Sequence, residues 1–324
     1  MMRAFITGAT GFIGGRVAAR LLERGDEVVA LVRSPEGAGD LEGIGCELVQ
    51  GDLTDGDAMR RGLEGADACF HVAGDYRVGV TKADCQEMRE ANVEGTRRVL
   101  RAAHDTGVAR TVYVSTVGVF GNTGREIVDE SFRRDEATGF LSCYDETKYQ
   151  AHLLAEQFIA EGDPVIIAMP GGVYGPDDHS PMGTLVDMAS KGRMMLAPFG
   201  DLGITAAHVD DIAAGIVLAH DKGRPGEAYV LAGPAVTNRE IAGTVAKLSG
   251  RKLPRGNLPP LVIKAAIPFG PLIGRLPGLQ PNMREMIRAA DGVTYWARAD
   301  KAQRELDWEP RDLETGLRDT LAGR

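Results

Sequence analysis

Cysteine is scarce and scattered in this chain. Cys46, Cys69, Cys85 and Cys143 form no CxxC pair, which argues against zinc-ribbon and thioredoxin-type spacings; four buried reduced thiols are expected, with no disulfide framework and no metal site. The 6 histidines show no ligand spacing either. Basic residues never gather into a run, and 46 Asp and Glu against 37 Lys and Arg give a formal charge of −9. The electrostatic footprint of a nucleic-acid binder is therefore missing, and no nucleic-acid partner is expected. Long apolar runs are lacking as well. The nearest candidate, residues 258–281, is broken by prolines, Lys264 and Arg275, whereas a membrane span needs about 20 apolar residues in succession; a place in the core is the expected role. The N-terminus enters a strand pattern by Arg3 with no charged n-region or apolar h-region, so a cytoplasmic protein is expected. No repeat with a period of about 20–50 residues is present, which removes solenoids and propellers.

What is present is a globular composition over 324 residues, enough for a substantial core. The first half alternates β-branched runs with amphipathic stretches: RAFIT (3–7), EVVALV (27–32), CELVQ (46–50), ACFHV (68–72), RTVYVS (110–115) and PVIIAM (164–169). Between them, 11–24 and 83–104 carry apolar residues at helical spacing, closed by Gly25 and Gly107. That order predicts an α/β fold, a doubly wound parallel sheet. Beyond residue 170 the texture becomes richer in Gly and Pro, with a helix over 208–219, a strand AYVLA and a helix opened by Thr237. A smaller C-terminal α/β lobe is expected from 171–203 and 233–324, with 1–170 and a return segment near 204–232 forming the main domain.

The first strand runs into T7-G8-A9-T10-G11-F12-I13-G14 and then a helix. Gly8 permits a tight turn, Gly11 lets backbone approach a pyrophosphate, and Gly14 lets helix and strand pack closely, while the helix N-terminus offers free N–H groups to phosphate. The stretch Thr10 to Gly14 thus reads as a dinucleotide cradle.

The spacing GxxGxxG resembles the short-chain dehydrogenase/reductase superfamily, and further motifs extend the likeness to its extended members, the NAD-dependent epimerase/dehydratase family. By that resemblance Asp52 and Leu53 in GDLTD are expected beside the adenine, Val72, Ala73 and Gly74 in FHVAG along the cofactor, and Pro170 and Val173 near the nicotinamide. Asn92 in ANVEGT is expected to help arrange a lysine. That lysine is Lys148, four residues after Tyr144 and so on one helix face with it; Tyr144 itself lies 28 residues after Thr116. Together they match the family's Thr, Tyr, Lys active-site set, with Thr116 favoured over Ser115. Arg33, where NAD-preferring relatives carry an acid, suits a 2′-phosphate, so NADP is expected over NAD.

The chemistry explains the grouping. A phenol titrates near pH 10, and bringing it about three units down takes about 4 kcal/mol, which an ammonium about 4 Å away supplies at an effective dielectric of about 20. Lys148 is thus expected to depress Tyr144, with Tyr144 passing a proton to or from a substrate oxygen. Val117 and Gly118 stand where dehydratases carry an Asp-Glu pair. Met169 precedes Pro170, and no arginine precedes HVDD, which weakens a sugar-diphosphate reading unless Lys191, Arg193 or Arg275 substitutes. Arg33, FHVAGDYR and ANVEGT resemble the dihydroflavonol-reductase-like branch, which includes hopanoid-associated sugar epimerases; His152 departs from the family's glutamate and Thr147 from its serine. The resemblance implies an NADPH-dependent reductase of a fairly apolar carbonyl substrate, with Asp75, Tyr76 and Arg77 at the pocket mouth. An NDP-sugar epimerase and a non-catalytic NADP sensor are the alternatives. The helices starting near Ala83 and Tyr144 resemble those that pair in family homodimers.

Overall fold

The computed structural model describes residues 1–265, 267–269 and 281–323. Its first six strands, β1 (Arg3–Thr7), β2 (Glu27–Val32), β3 (Glu47–Gln50), β4 (Ala68–His71), β5 (Arg110–Val114) and β6 (Val165–Pro170), fall within a residue of the runs expected from sequence. With β9 (Ala228–Leu231) they form one sheet, all parallel, in the order β3-β2-β1-β4-β5-β6-β9. Between the first six run α1 (Phe12–Glu23), α2 (Gly39–Gly43), α3 (Gly56–Leu63), α4 (Lys82–Arg89), α5 (Gly95–Thr106) and α6 (Cys143–Ala160). Strand residues alternate faces. Ala4 and Ile6 of β1 join one apolar layer with Val17 and Leu21 of α1, while Phe5 joins another with Met59 and Leu63 of α3. This is the doubly wound Rossmann arrangement, and the strand order reverses between β1 and β4, the position where such sheets open a crevice for ligands.

The second lobe holds β7 (Gly172–Tyr174), β8 (Gly203–His208), β10 (Ala235–Thr237) and β11 (Thr294–Tyr295), with β8 pairing all three others. α7 (Pro181–Ser190) packs on α9 (Asn238–Leu248), which Thr237 and Glu240 open as a reciprocal cap. Between lobes the chain returns to the main sheet through α8 (Val209–Lys222) and β9. β9 is one edge of this sheet. Two of its outward groups are occupied: Val230 N–H donates to Glu130 Oε1 at 2.8 Å, and Lys301 Nζ donates to the Ala228 carbonyl at 2.7 Å.

Two expectations need correction. The helix expected over 83–104 is two helices joined by a π turn, Glu90–Glu94. Met88 and Val93, both buried, are five residues apart, one more than an α-helical repeat, and the wider turn absorbs the slip. Of the apolar stretch 258–281, Leu261 and Val262 are exposed rather than core; residues 266 and 270–280, Arg275 among them, lie outside the described residues.

α6 is the element whose start is fixed most heavily. Ser142 accepts the Asp145 N–H at 3.1 Å, and Glu285 accepts the Cys143 N–H at 2.9 Å. Asp145 accepts the Leu141 N–H at 2.8 Å and pairs with Arg134 at 2.6 Å, both side chains almost wholly buried, while the guanidinium stacks on Phe140 and Tyr149. Breaking a buried pair by removing one partner strands the other charge, so Asp145→Ala is expected to cost about 3–5 kcal/mol. Equilibrium urea unfolding followed by circular dichroism measures this; an unchanged midpoint would show that the pair does not anchor the helix.

Candidate active site

The glycine turn and the segment after β4 meet where the strand order reverses. Gly8 has φ +79°, and a Cβ on it would lie 2.6 Å from the Ala73 backbone nitrogen; a Cβ on Gly14 would lie 2.1 Å from the Gly8 carbonyl oxygen. Side chains at either position would fill the cradle. α1 follows Gly11 with no side-chain cap, so the first-turn N–H groups of Phe12, Ile13 and Gly14 remain for an anion. Ile13, Val72 and Val173 border the same core layer, and Pro170 ends β6. These residues fit a dinucleotide.

The adenine-side residues are arranged more loosely. Arg33 is exposed directly after β2, and Thr10 is exposed in the turn. Asp52 Oδ1 accepts from the Thr54 N–H at 2.7 Å and hydroxyl at 2.6 Å. These bonds, with a smaller contribution from Arg33, hold its carboxyl below the usual range. Asp55, not Asp52, caps α3. Leu53 packs against Gly95, where an added Cβ would come within 2.7 Å of its Cδ1.

The residues expected to act on substrate converge at the other end of the crevice. Thr116 sits just past β5, accepts the Gly118 N–H at 3.1 Å and has its hydroxyl beside the Tyr144 phenol. Ser115 faces away, its hydroxyl 3.0 Å from His152 Nδ1. Lys148 is buried and donates to the Val114 carbonyl at 2.9 Å and the Tyr113 hydroxyl at 3.2 Å. Its Nζ would stand 3.9 Å from a Cβ on Gly74, which brings the lysine to the cofactor segment. Asn92, turned inward by the π turn, accepts the Asp75 N–H at 2.7 Å and donates to the Asp75 carbonyl at 3.0 Å and to Thr147 at 3.1 Å. It therefore fixes the backbone beside Gly74 rather than touching the lysine. Tyr76, 53% exposed, sets its ring edge-on to Tyr144 with centroids 4.6 Å apart. Arg77 is bound to Asp75, with Asp84 at 3.6 Å and Glu87 at 3.7 Å, so its charge is already matched.

Two sequence expectations change here. The Tyr144 phenol is raised, not lowered: burial is the largest cause, the neighbouring Tyr76 adds to it, and the Thr116 hydroxyl opposes it. Desolvation outweighs the ammonium, which is turned onto Tyr113 and Val114. Cys85 and Cys143 are not free thiols but a disulfide joining α4 to the first turn of α6, one residue before Tyr144; Cys46 and Cys69 are buried and free. Widely separated cysteines read as unpaired because spacing in sequence says nothing of helices that pack side by side. Tyr113 and His71 were not anticipated. His71 lies between Thr7 and Thr96 hydroxyls at 2.8 and 2.9 Å, stacks on Tyr113, and is pulled down to about 3, first by burial and then by Lys148. Their signal was alternation: Tyr113 shares its strand face with Ser115.

Residues 4–232 match the model of the NAD dependent epimerase/dehydratase family, and the chain belongs to that family. It is thereby an NAD(P)-dependent enzyme of the extended short-chain dehydrogenase/reductase type. It is 32% identical to a 4-hydroxy-2-methyl-3-oxo-4-farnesyl-3,4-dihydroquinoline-1-oxide ketoreductase of Stigmatella aurantiaca, over 96% of this chain and 92% of that one. A Synechocystis protein provisionally named dihydroflavonol 4-reductase is 29% identical over 98% and 93% of the two chains. Among solved structures, a dTDP-glucose 4,6-dehydratase double mutant from Streptomyces venezuelae with NAD bound is 26% identical with a TM-score of 0.78, covering 99% and 96%.

Burial pulls Lys148 down to about 7, whereas an unfolded lysine titrates near 10.4. Between those values the unfolded chain binds the extra proton, so this group makes stability rise with pH across about 7 to 10. Lys148→Met is expected to remove that component, seen as a flatter urea midpoint over the same range; an identical slope would contradict it. Alkylation under denaturing, non-reducing conditions is expected to modify two thiols, Cys46 and Cys69, by intact mass; four modified thiols would mean the Cys85–Cys143 bond is absent.

Proposed function

We propose that this enzyme is an NADPH-dependent carbonyl reductase for a fairly apolar ketone or aldehyde. The observation that carries the reading is the convergence of Thr116 on Tyr144, with Lys148 beside Gly74, at the open end of the crevice. NADPH, held by Gly8 to Gly14, Asp52, Leu53, Val72 to Gly74, Pro170 and Val173, supplies hydride when bound. Thr116 holds the substrate oxygen against Tyr144, which donates the proton. A phenol kept protonated by burial suits the reductive direction, because the acid arrives loaded. Tyr76 offers an aromatic wall beside the reacting phenol. Arg77 is neutralised by carboxylates and so offers little free positive charge to a sugar diphosphate, which favours an uncharged substrate over the epimerase reading. The ketoreductase relative supports the same direction.

In this reading residues 1–170 and the return near 204–232 bind the cofactor, 171–203 and 233–324 the substrate. Arg33 selects NADP by pairing with the 2′-phosphate. A cytoplasmic homodimer, joined through the α4–α5 and α6 helices, completes it.

NADPH oxidation across ketones, aldehydes and CoA thioesters, beside a UDP-sugar interconversion assay, tests the function. Net oxidation supports the reductase; sugar interconversion without net oxidation would replace it with the epimerase, and binding without either would leave the sensor. Tyr144→Phe is expected to keep NADPH affinity while turnover falls at least about a hundredfold; full rate would remove Tyr144 from the chemistry. Arg33→Ala is expected to weaken NADPH far more than NADH in fluorescence titration, and equal losses would overturn the NADP preference.

A further inference from the structure

Acidic residues outnumber basic ones across the chain, yet residues 241–265 carry Lys247, Arg251, Lys252, Arg255 and Lys264 and no Asp or Glu. Ten large apolar side chains are exposed among the described residues, and five of them, Met195, Leu196, Leu253, Leu261 and Val262, fall in this stretch and in the one that pairs with it. The pairing is through backbone: the Arg255 N–H donates to the Met195 carbonyl at 2.9 Å, the Ala197 N–H to the Gly256 carbonyl at 2.9 Å and the Leu258 N–H to the Ala197 carbonyl at 2.8 Å, while Arg251 Nε donates to the Ser190 carbonyl at 3.3 Å. Met195 and Leu196 thus stand alongside the segment of Leu253, and α10 (Pro260–Ala265) follows at once with Leu261, 79% exposed, and Val262. Cations are set among them. Lys191, Lys247 and Lys264 are paired with Asp187, Glu314 and Asp291, but Arg193, Lys252 and Arg255 are exposed and have no carboxylate partner among the described residues. Clustered apolar exposure of this kind marks a surface that meets something.

We propose that this face of the second lobe docks on the surface of an anionic lipid bilayer. Apolar tips enter the boundary between headgroups and acyl chains while Lys and Arg stay at the phosphates, and each cation near an anionic leaflet strengthens binding roughly fivefold. The chain as a whole has a formal charge of −9, so the same surface repels the rest of the molecule and turns this face toward it. A second copy fits less well, because a two-fold contact sets the patch against itself, cations facing cations. The use of the docking rests on the reductase reading above: an apolar carbonyl substrate concentrates in the bilayer, and the docking face is tied to the site. Lys264 lies 3.4 Å from Asp291, directly after the helix Met283–Ala290. Arg288 of that helix donates from Nε to the Leu141 carbonyl at 2.7 Å, and the Asn282 N–H at its start donates to the Gly79 carbonyl at 2.8 Å. Leu141 and Gly79 are three residues from Tyr144 and Tyr76 respectively.

In flotation of the full chain, vesicles of phosphatidylcholine with about a third phosphatidylglycerol are expected to carry the protein upward, with at least about tenfold less bound to phosphatidylcholine alone or in about 0.5 M salt. Lys252→Glu combined with Arg255→Glu is expected to weaken binding at least about tenfold, and Leu253→Ser combined with Leu261→Ser by a similar factor. All four side chains are exposed, so the fold is expected to survive, with circular dichroism as the check. No flotation with anionic vesicles, or binding indifferent to both double substitutions, would overturn the proposal. So would loss confined to the charge variant, which would reduce the contact to general attraction without apolar insertion. If vesicles fail, a dimer in light scattering that the leucine substitutions disperse would give the face to a second copy, and a monomer would give it to an acidic protein. Flotation needs no turnover: vesicle binding by a protein inactive on every carbonyl would sink the reductase reading and leave the docking, whereas an active enzyme that ignores the vesicles would sink the docking alone.

Discussion

Burying one ammonium governs this site. A lysine taken out of water at the end of a parallel sheet costs several kcal/mol unless its hydrogens find acceptors, and here they find the Val114 carbonyl and the Tyr113 hydroxyl. That demand dictates much of the neighbourhood. β5 must end at Val114, so that the carbonyl of its last residue can turn to the lysine; Tyr113 must carry a hydroxyl; and α6 must begin early enough for Lys148 to reach both. The surroundings also lower the lysine and raise the phenol, opposite displacements with burial as the first cause of each.

The fold was largely legible because its signals are local. Apolar alternation located the six early strands, and Gly8, Gly11 and Gly14 located the turn into α1, where the backbone approaches at Gly8 and Gly14 exclude a side chain. Of the candidate site, the sequence marked Thr116, Tyr144 and Lys148 by residue identity and spacing, and the structure brings Tyr144 and Lys148 onto one helix beside Thr116. What sequence could not supply was direction in space. The disulfide between Cys85 and Cys143, the inward turn of Asn92 and the choice of partner by Lys148 all depend on how α4, α6 and β5 lie against one another. The phenol's shift went astray for the same reason: a charge four residues away is readable in sequence, whereas the depth at which both groups sit is not.

Helix α6 is held at its first turn by contacts from three other parts of the chain. Arg134 reaches it from the long loop after β5, Glu285 from the second lobe and Cys85 from α4. Each acts within two residues of Tyr144. The Tyr144 phenol therefore sits at a junction where the second lobe and the main domain both grip one short segment, and its placement reports on their mutual fit.

The edge of the main sheet has a different consequence. With Glu130 and Lys301 occupying an outward donor and an outward acceptor of β9, a neighbouring molecule would have to displace both side chains to extend the ladder. Self-association by strand addition is thereby opposed along that border of the sheet.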